Sequence, residues 1–446
     1  MATDCSGTGA AEQSTTSAWH PALVESVFAS GTSAASRAWI AAMGGPVTMF
    51  TDIIQRAFGR DSISGVDEHG NRVTITRSFA LLDLYVAGFP CTPFSPLGER
   101  HGRQDEAAKV FYACMKTISA LRPRAVVLEN VPAILVRKNI GQLQRVLKAI
   151  SGYHTRVVKA NSSSHGLPQH RERVYIFMWR VEELVVEEPG ELDEIVAKAL
   201  KSTRRRCKAP WPQWLQAIGL PMEPALSVAS LKSWPLARPC ETCHHKVSCP
   251  RHVCGCKRCV RFGTDMCKCR WRLHVGQYLR RPKVRTQCRE HLKRWRAVRK
   301  DPKLKRVPTY FELAQDRGLR VPPLLASSPR VRVLLDTLAR KRNLMKPCAV
   351  LQLSQTVHRV PCRDDGKVPT LTSHCGSLFA PSVGRYLTPA QCFALQGWAP
   401  SVFEDVSRRI VHPISPDEYY RMAGNGMSLP VVGTHIMIAV SQLRPR

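Results

Sequence analysis

The chain is short of negative charge and of long apolar runs. Its 446 residues carry 34 Asp and Glu against 66 Lys and Arg, a formal net charge of +32. An imbalance of that size points to a polyanionic partner, nucleic acid first among them. No run approaches the roughly 20 consecutive apolar residues that span a bilayer, and the opening MATDCSGTGA lacks the basic-then-apolar layout of a secretory signal. These absences predict an intracellular protein that engages no membrane. There is no internal repeat. What is present is a hydrophobic content of 44%, which sets the chain apart from histone-like or ribosomal proteins and predicts at least one substantial core. Cysteine is abundant, at 17 residues, and in a reducing compartment these read as thiols and metal ligands rather than disulfides.

Up to residue 180, short apolar runs alternate with helical spacing. Strands are predicted at Leu23–Ala29, Leu81–Ala87, Ala125–Leu128 and Arg173–Met178, and helices at Glu106–Leu121 and Ile140–Ile150. Alternation of this kind predicts βαβ units and a mostly parallel sheet. From about 181 the composition changes, first to an acidic patch and then to a basic, cysteine-rich stretch. Residues 201–306 hold 28 Lys and Arg against five acids, which predicts the nucleic-acid face there. After Pro361 the chain reads as globular again, with helices predicted at Pro389–Gly397 and Val431–Leu443. The predicted division is therefore 1–180, 181–365 and 366–446.

Read in order, the chain shows Asp4-Cys5-Ser6-Gly7-Thr8-Gly9-Ala10, then Thr51-Asp52-Ile53, then Gly88-Phe89-Pro90-Cys91-Thr92-Pro93. It continues with Glu129-Asn130-Val131, Gln169-His170-Arg171-Glu172-Arg173 and, near the end, Gly424-Asn425-Gly426-Met427. Over residues 3–180 and 366–446 this ordered set resembles the cytosine-C5 DNA methyltransferase family. The resemblance implies a Rossmann-like α/β methyltransferase fold with an inserted target-recognition region at about 181–365.

The residue types suit the chemistry that the resemblance implies. Carbon 5 of cytosine is a poor nucleophile until a thiolate adds at carbon 6, so Cys91, on a stiff loop after an apolar run, is the candidate nucleophile. Addition is eased by a carboxyl group at ring nitrogen 3, and Glu129 follows the apolar run Ala125–Leu128 that would bring it to the same sheet edge. Arg171 and Arg173, two apart on an extended segment, are predicted to face one way and to hold the base carbonyl, a phosphate or the Glu129 carboxylate. Ser6, Gly7, Thr8 and Gly9 form a turn through which S-adenosylmethionine could approach the backbone. By resemblance, Asp52 accepts from the adenine amine and Asn425 belongs to the segment that closes the donor pocket.

The chain also departs from the family pattern. The acid that would hold the ribose hydroxyls near Gly31 is missing, Cys5 stands in place of phenylalanine, Phe89 in place of proline and Thr92 in place of glutamine. Because the first motif begins at residue 3, almost no first strand is predicted.

Between 240 and 269 lie Cys240, Cys243, Cys249, Cys254, Cys256, Cys259, Cys267 and Cys269, interleaved with histidines. Cys-x2-Cys and Cys-x-Cys pairs at that density supply ligands for one or two tetrahedral zinc sites, to which Cys288 and His291 could contribute. Trp211, Trp214, Trp234, Trp271 and Trp295 are available for packing or base stacking.

Three functions follow as expectations: a DNA cytosine-5 methyltransferase, a tRNA cytosine-5 methyltransferase, and a zinc-containing nucleic-acid-binding protein whose methyltransferase fold has lost its donor. The run Arg204-Arg205-Arg206 and the expected DNA substrate predict a nuclear protein, although the same run suits phosphate contacts.

Overall fold

The computed structural model describes residues 1–20, 23–79, 81–90, 106–222, 308–319, 321–322, 325, 329–339, 342–355 and 362–445. Two compact units are present: residues 1–221 with 366–376 and 388–446, and residues 222–365 with 377–387.

The first unit is built on a seven-stranded sheet of β1 (Ala2–Asp4), β2 (Phe28–Ser30), β3 (Thr48–Phe50), β7 (Leu84–Ala87), β8 (Ala125–Asn130), β9 (Tyr153–Asn161) and β10 (Glu172–Arg180). Between β3 and β7 a separate antiparallel sheet forms from β4 (Ala57–Phe58), β5 (Ser62–Val66) and β6 (Arg72–Thr76). The large sheet has the order β3-β2-β1-β7-β8-β10-β9, and β10 alone runs antiparallel to its neighbours β8 and β9. The chain winds outward from β1 to β3 and then returns to β7 on the other side of β1. The carboxyl ends of β1 and β7 therefore flank a topological switch point, the place where open α/β sheets bind ligands.

The predicted mostly parallel sheet is present, but its details differ from the expectation. β1 exists and is central: its three residues pair in parallel with β7, and Ala2 pairs in parallel with Phe28 of β2. Length is no obstacle, because a strand bonded on both sides gains its stability from its neighbours. The run from Leu23 becomes strand only from Phe28, since Leu23 lies exposed in a turn where its N–H bonds to the His20 carbonyl. β9 gave little apolar alternation because it is an edge strand rich in polar and basic residues. The helix Glu106–Leu121 appears where predicted, while Pro389–Leu395 stops short and Gly397 follows at φ 96.

The first unit continues past residue 180 to Pro221. The helix Pro189–Ser202 packs back on it, burying Leu192 and Val196, and Asp193 of that helix is held by Arg156 at 2.9 Å and His154 at 3.2 Å, both on β9. Trp211 is fully buried, so it serves the core rather than base stacking. The C-terminal segment belongs here too. Trp39 packs against Phe393 and, edge to face, against Trp398 at 5.0 and 5.7 Å between ring centroids, and Ser14 donates to the Leu429 carbonyl at 3.2 Å.

Among the described residues of the second unit, the helices Tyr310–Asp316 and Pro329–Ala339 share a core with a four-stranded antiparallel sheet, including Tyr310, Leu334, Leu335 and Phe379. The eight cysteines from Cys240 to Cys269, with Cys288, His291, Trp234, Trp271 and Trp295, lie outside the described residues. Among the described residues no group of three or more His, Cys, Asp or Glu could hold a metal, and no single helix is long and apolar enough to cross a membrane.

Candidate active site

The glycine turn follows β1 directly. Cys5, Gly7 and Gly9 take φ values of 55, 59 and 69, the left-handed region that glycine enters freely and that costs Cys5 about 1 kcal/mol or more. The Ser6 N–H bonds to the Ser30 carbonyl of β2 at 3.1 Å, and the Gly9 N–H bonds back to Ser6 at 2.8 Å. Thr8 is buried with its hydroxyl unpartnered. Beneath the turn, Asp4 is fully buried and ringed by donors: both Arg56 guanidinium nitrogens at 2.6 and 2.7 Å, Tyr85 at 2.7 Å and Ser30 at 2.5 Å. The Arg56 guanidinium also lies over the Phe28 and Phe50 rings. Hydrogen bonding to Cys114, with burial, pushes the Cys5 thiol well above its ordinary range, so it is an inert neutral group.

At Gly31 an added Cβ would meet nothing within 4 Å. Arg37 donates to the Gly31 carbonyl at 2.7 Å and to the Thr32 carbonyl at 3.1 Å. Asp52, half-buried after β3, spends one oxygen on its own turn, accepting from the Ile54 N–H at 2.9 Å.

On the other side of the switch point, Gly88–Pro90 lead out of β7 toward Cys91, which itself lies outside the described residues. Glu129 and Asn130 end the fully buried strand β8. Asn130 donates to the Phe89 carbonyl at 3.1 Å, which ties the loop before Cys91 to the strand that carries Glu129. The Glu129 carboxylate sits 3.0 Å from Arg173 Nε, yet the same oxygen has no donor aligned on it as a hydrogen bond. It is thus charge-compensated and still able to accept.

The two arginines do not share a task. β10 begins at Glu172, so Arg171 precedes the strand and the alternation expected of the pair does not apply. Arg173 meets Glu129. Arg171 is buried and donates to three carbonyls, those of Leu371 at 2.8 Å, Gly424 at 3.2 Å and Gly426 at 2.8 Å. A second clamp holds the same segment: Gln396 donates to Ala423 at 2.7 Å and accepts from Ser428 at 2.6 Å, and Ser428 is joined to Ser162 at 2.8 Å. Nothing in the sequence marked Gln396, Ser162 or Arg56, because each matters only through residues distant in the chain.

These clamps bring the C-terminal segment to the glycine turn. A Cβ on Gly7 would lie 3.7 Å from Gly426 Cα, and one on Gly88 would lie 2.5 Å from Met427 Cε and 3.7 Å from Glu129 Oε2. Asn425 is exposed between them. Gly424 is the tightest point, since an added Cβ would fall 1.9 Å from the Thr372 carbonyl oxygen. Gly424→Ala should therefore cost about 3 kcal/mol, because backbone rather than a flexible side chain must yield. Thermal unfolding checks this, and a loss below about 1 kcal/mol would mean that the segment relaxes freely.

Residues 56–207 match the family described as C-5 cytosine-specific DNA methylase. The type II methyltransferase M.BanI of Aneurinibacillus aneurinilyticus is 35% identical over 101 residues, covering 22% of this chain and 24% of that relative. The orphan methyltransferase M.SPRI of Bacillus phage SPR is 32% identical over 138 residues, covering 30% of this chain and 31% of its own length. The chain thus spans about a quarter to a third of the curated relatives it matches. The nuclear expectation gains nothing from these bacterial and phage proteins. A prophage-encoded protein of E. coli, assigned as a DNA modification methyltransferase, shares the fold with a TM-score of 0.50 at 14% identity, covering 99% of this chain and 98% of its own. The likeness to the C-5 cytosine-specific DNA methylase family is thus carried by residues 56–207.

Proposed function

We propose that the chain is a DNA cytosine-5 methyltransferase that uses S-adenosylmethionine as donor. One observation carries the reading. The loop leading to Cys91, the Glu129 carboxylate with an oxygen lacking an aligned donor, and Arg173 converge at one sheet edge, beside a glycine turn closed by the Gly424–Met427 segment.

In this mechanism the target base leaves the duplex stack. The Cys91 thiolate adds to carbon 6 while a proton carried by the Glu129 carboxyl group passes to ring nitrogen 3, and the electron pair moves to carbon 5. When bound, S-adenosylmethionine would supply the electrophilic methyl group for carbon 5, its sulfur–methyl bond breaking to leave S-adenosylhomocysteine. A base then removes the carbon 5 proton, the Cys91–carbon 6 bond breaks, the thiolate is released and the proton on ring nitrogen 3 returns to Glu129. Arg173 holds the Glu129 carboxylate in place, and Arg171 acts as a positioning residue through the backbone of Gly424 and Gly426. The donor would lie over Ser6–Gly9, where the left-handed glycines and the buried, unpartnered Thr8 hydroxyl fit a ligand approaching the backbone, with Asp52 and Asn425 at its margins. Zinc at Cys240–Cys269 rests on sequence spacing alone, and metal analysis of the purified protein tests it.

Purified protein incubated with labelled donor should methylate duplex DNA and leave matched tRNA unlabelled. Transfer to tRNA alone would overturn the substrate, and no transfer to either, with no donor binding by calorimetry, would overturn the enzyme.

A further inference from the structure

Arg204-Arg205-Arg206 has no role in the chemistry above, and its placement is informative. These three residues and Lys208 are exposed, and no ion pair among the described residues involves them. Their backbone is nevertheless fixed. The Arg205 N–H bonds to the Ser164 carbonyl at 2.8 Å, the Gly166 N–H bonds to the Arg205 carbonyl at 2.7 Å, and Arg205 forms a parallel bridge with His165.

The loop that holds them joins the end of β9 to the start of β10. Register places it at the catalytic edge, because Glu172 lies opposite Asn161 and Val174 opposite Asn130, next to Glu129. Burial, assisted by Arg204, lowers the His165 pKa, so the positive charge of this rim belongs to the arginines and lysine.

We propose that Arg204, Arg205, Arg206 and Lys208 form a pre-ordered ridge that contacts the phosphate backbone of duplex DNA beside the target base. The proposal rests on the DNA methyltransferase reading and adds a second, defined contact to it. A run of arginines on a mobile tail would lose affinity to ordering on binding; here the hydrogen bonds to Ser164 and Gly166 have already set the backbone. The same pinning argues against a transport signal, since a receptor that reads an extended peptide would have to break the bridge to His165.

The test is the salt dependence of binding to a DNA duplex, measured without donor on the full chain. Each lost phosphate contact lowers the slope of log K against log salt by about 0.9. The triple variant Arg204→Ala, Arg205→Ala, Arg206→Ala should lose about 2 to 3 from that slope and bind more weakly at low salt. The matching triple Arg→Lys variant should keep most of the slope, with both variants unfolding near the wild-type temperature. An unchanged slope in the alanine variant, or a slope lost on an RNA duplex and retained on DNA, would overturn the proposal. Wild-type chain that methylates DNA with an alanine-insensitive slope defeats this inference alone. A chain that shows the slope change without methyl transfer defeats the catalytic reading alone.

Discussion

Cys91→Ser should abolish both methyl transfer and covalent trapping on a duplex containing 5-fluorocytosine, while Glu129→Gln should slow transfer by about 10²–10⁴-fold and still permit slow trapping. The two losses differ because the groups differ in kind. Serine has no accessible anion near neutral pH and forms no adduct at carbon 6. Glutamine can still hydrogen-bond to ring nitrogen 3 through its amide, but it cannot pass a proton there. Replacing the carboxylate also removes the counter-charge of Arg173, whose side chain is 14% exposed. Part of the loss could therefore come from displacement of that arginine, and DNA affinity separates the contributions. A chemical role lowers kcat and leaves DNA binding intact, whereas collapse of the site would weaken binding as well. Turnover within about threefold of wild type in Glu129→Gln would remove Glu129 from the chemistry.

Asp4→Ala should destabilise the first unit by about 3–5 kcal/mol, because it leaves the Arg56 guanidinium buried without its counter-ion. Arg56 is 5% exposed and bonds to Asp4 through two nitrogens, and the carboxylate also accepts from Tyr85 and Ser30. Its guanidinium pKa is raised: burial pulls it down, but the charge and hydrogen bonds of Asp4 outweigh that effect. Asp4→Leu combined with Arg56→Met should recover part of the loss, since a packed apolar pair often matches a buried ion pair in stability while the Tyr85 and Ser30 hydroxyls still lack their acceptor. The strong non-additivity follows from the contact between the two side chains. Chemical denaturation of the wild type, the single variant and the double variant measures it. A double variant as unstable as Asp4→Ala would show that the charge pair is not the source of the loss. Because Ser30, which donates to Asp4, precedes Gly31, donor affinity should fall in both variants.

Much of the site was legible in the sequence because its parts are local. A glycine turn and a Glu-Asn at the end of an apolar run each need only a few neighbouring residues to declare their geometry. The same is true of the parallel sheet, whose buried strands β7 and β8 are short continuous apolar runs. Tertiary structure decided what depends on residues far apart. Arg171 reaches carbonyls 200 or more positions away, so no local pattern could separate it from Arg173. Asp4 and Arg56 become one buried unit only when β1, β2 and β7 lie side by side. The first unit continues past residue 180 because the helix Pro189–Ser202 finds its partners on β9. The sequence by itself determined which chemical groups are present and the local shape each takes. Only folding decided which of them meet, because burial and partnership belong to the surroundings that distant segments build around a side chain.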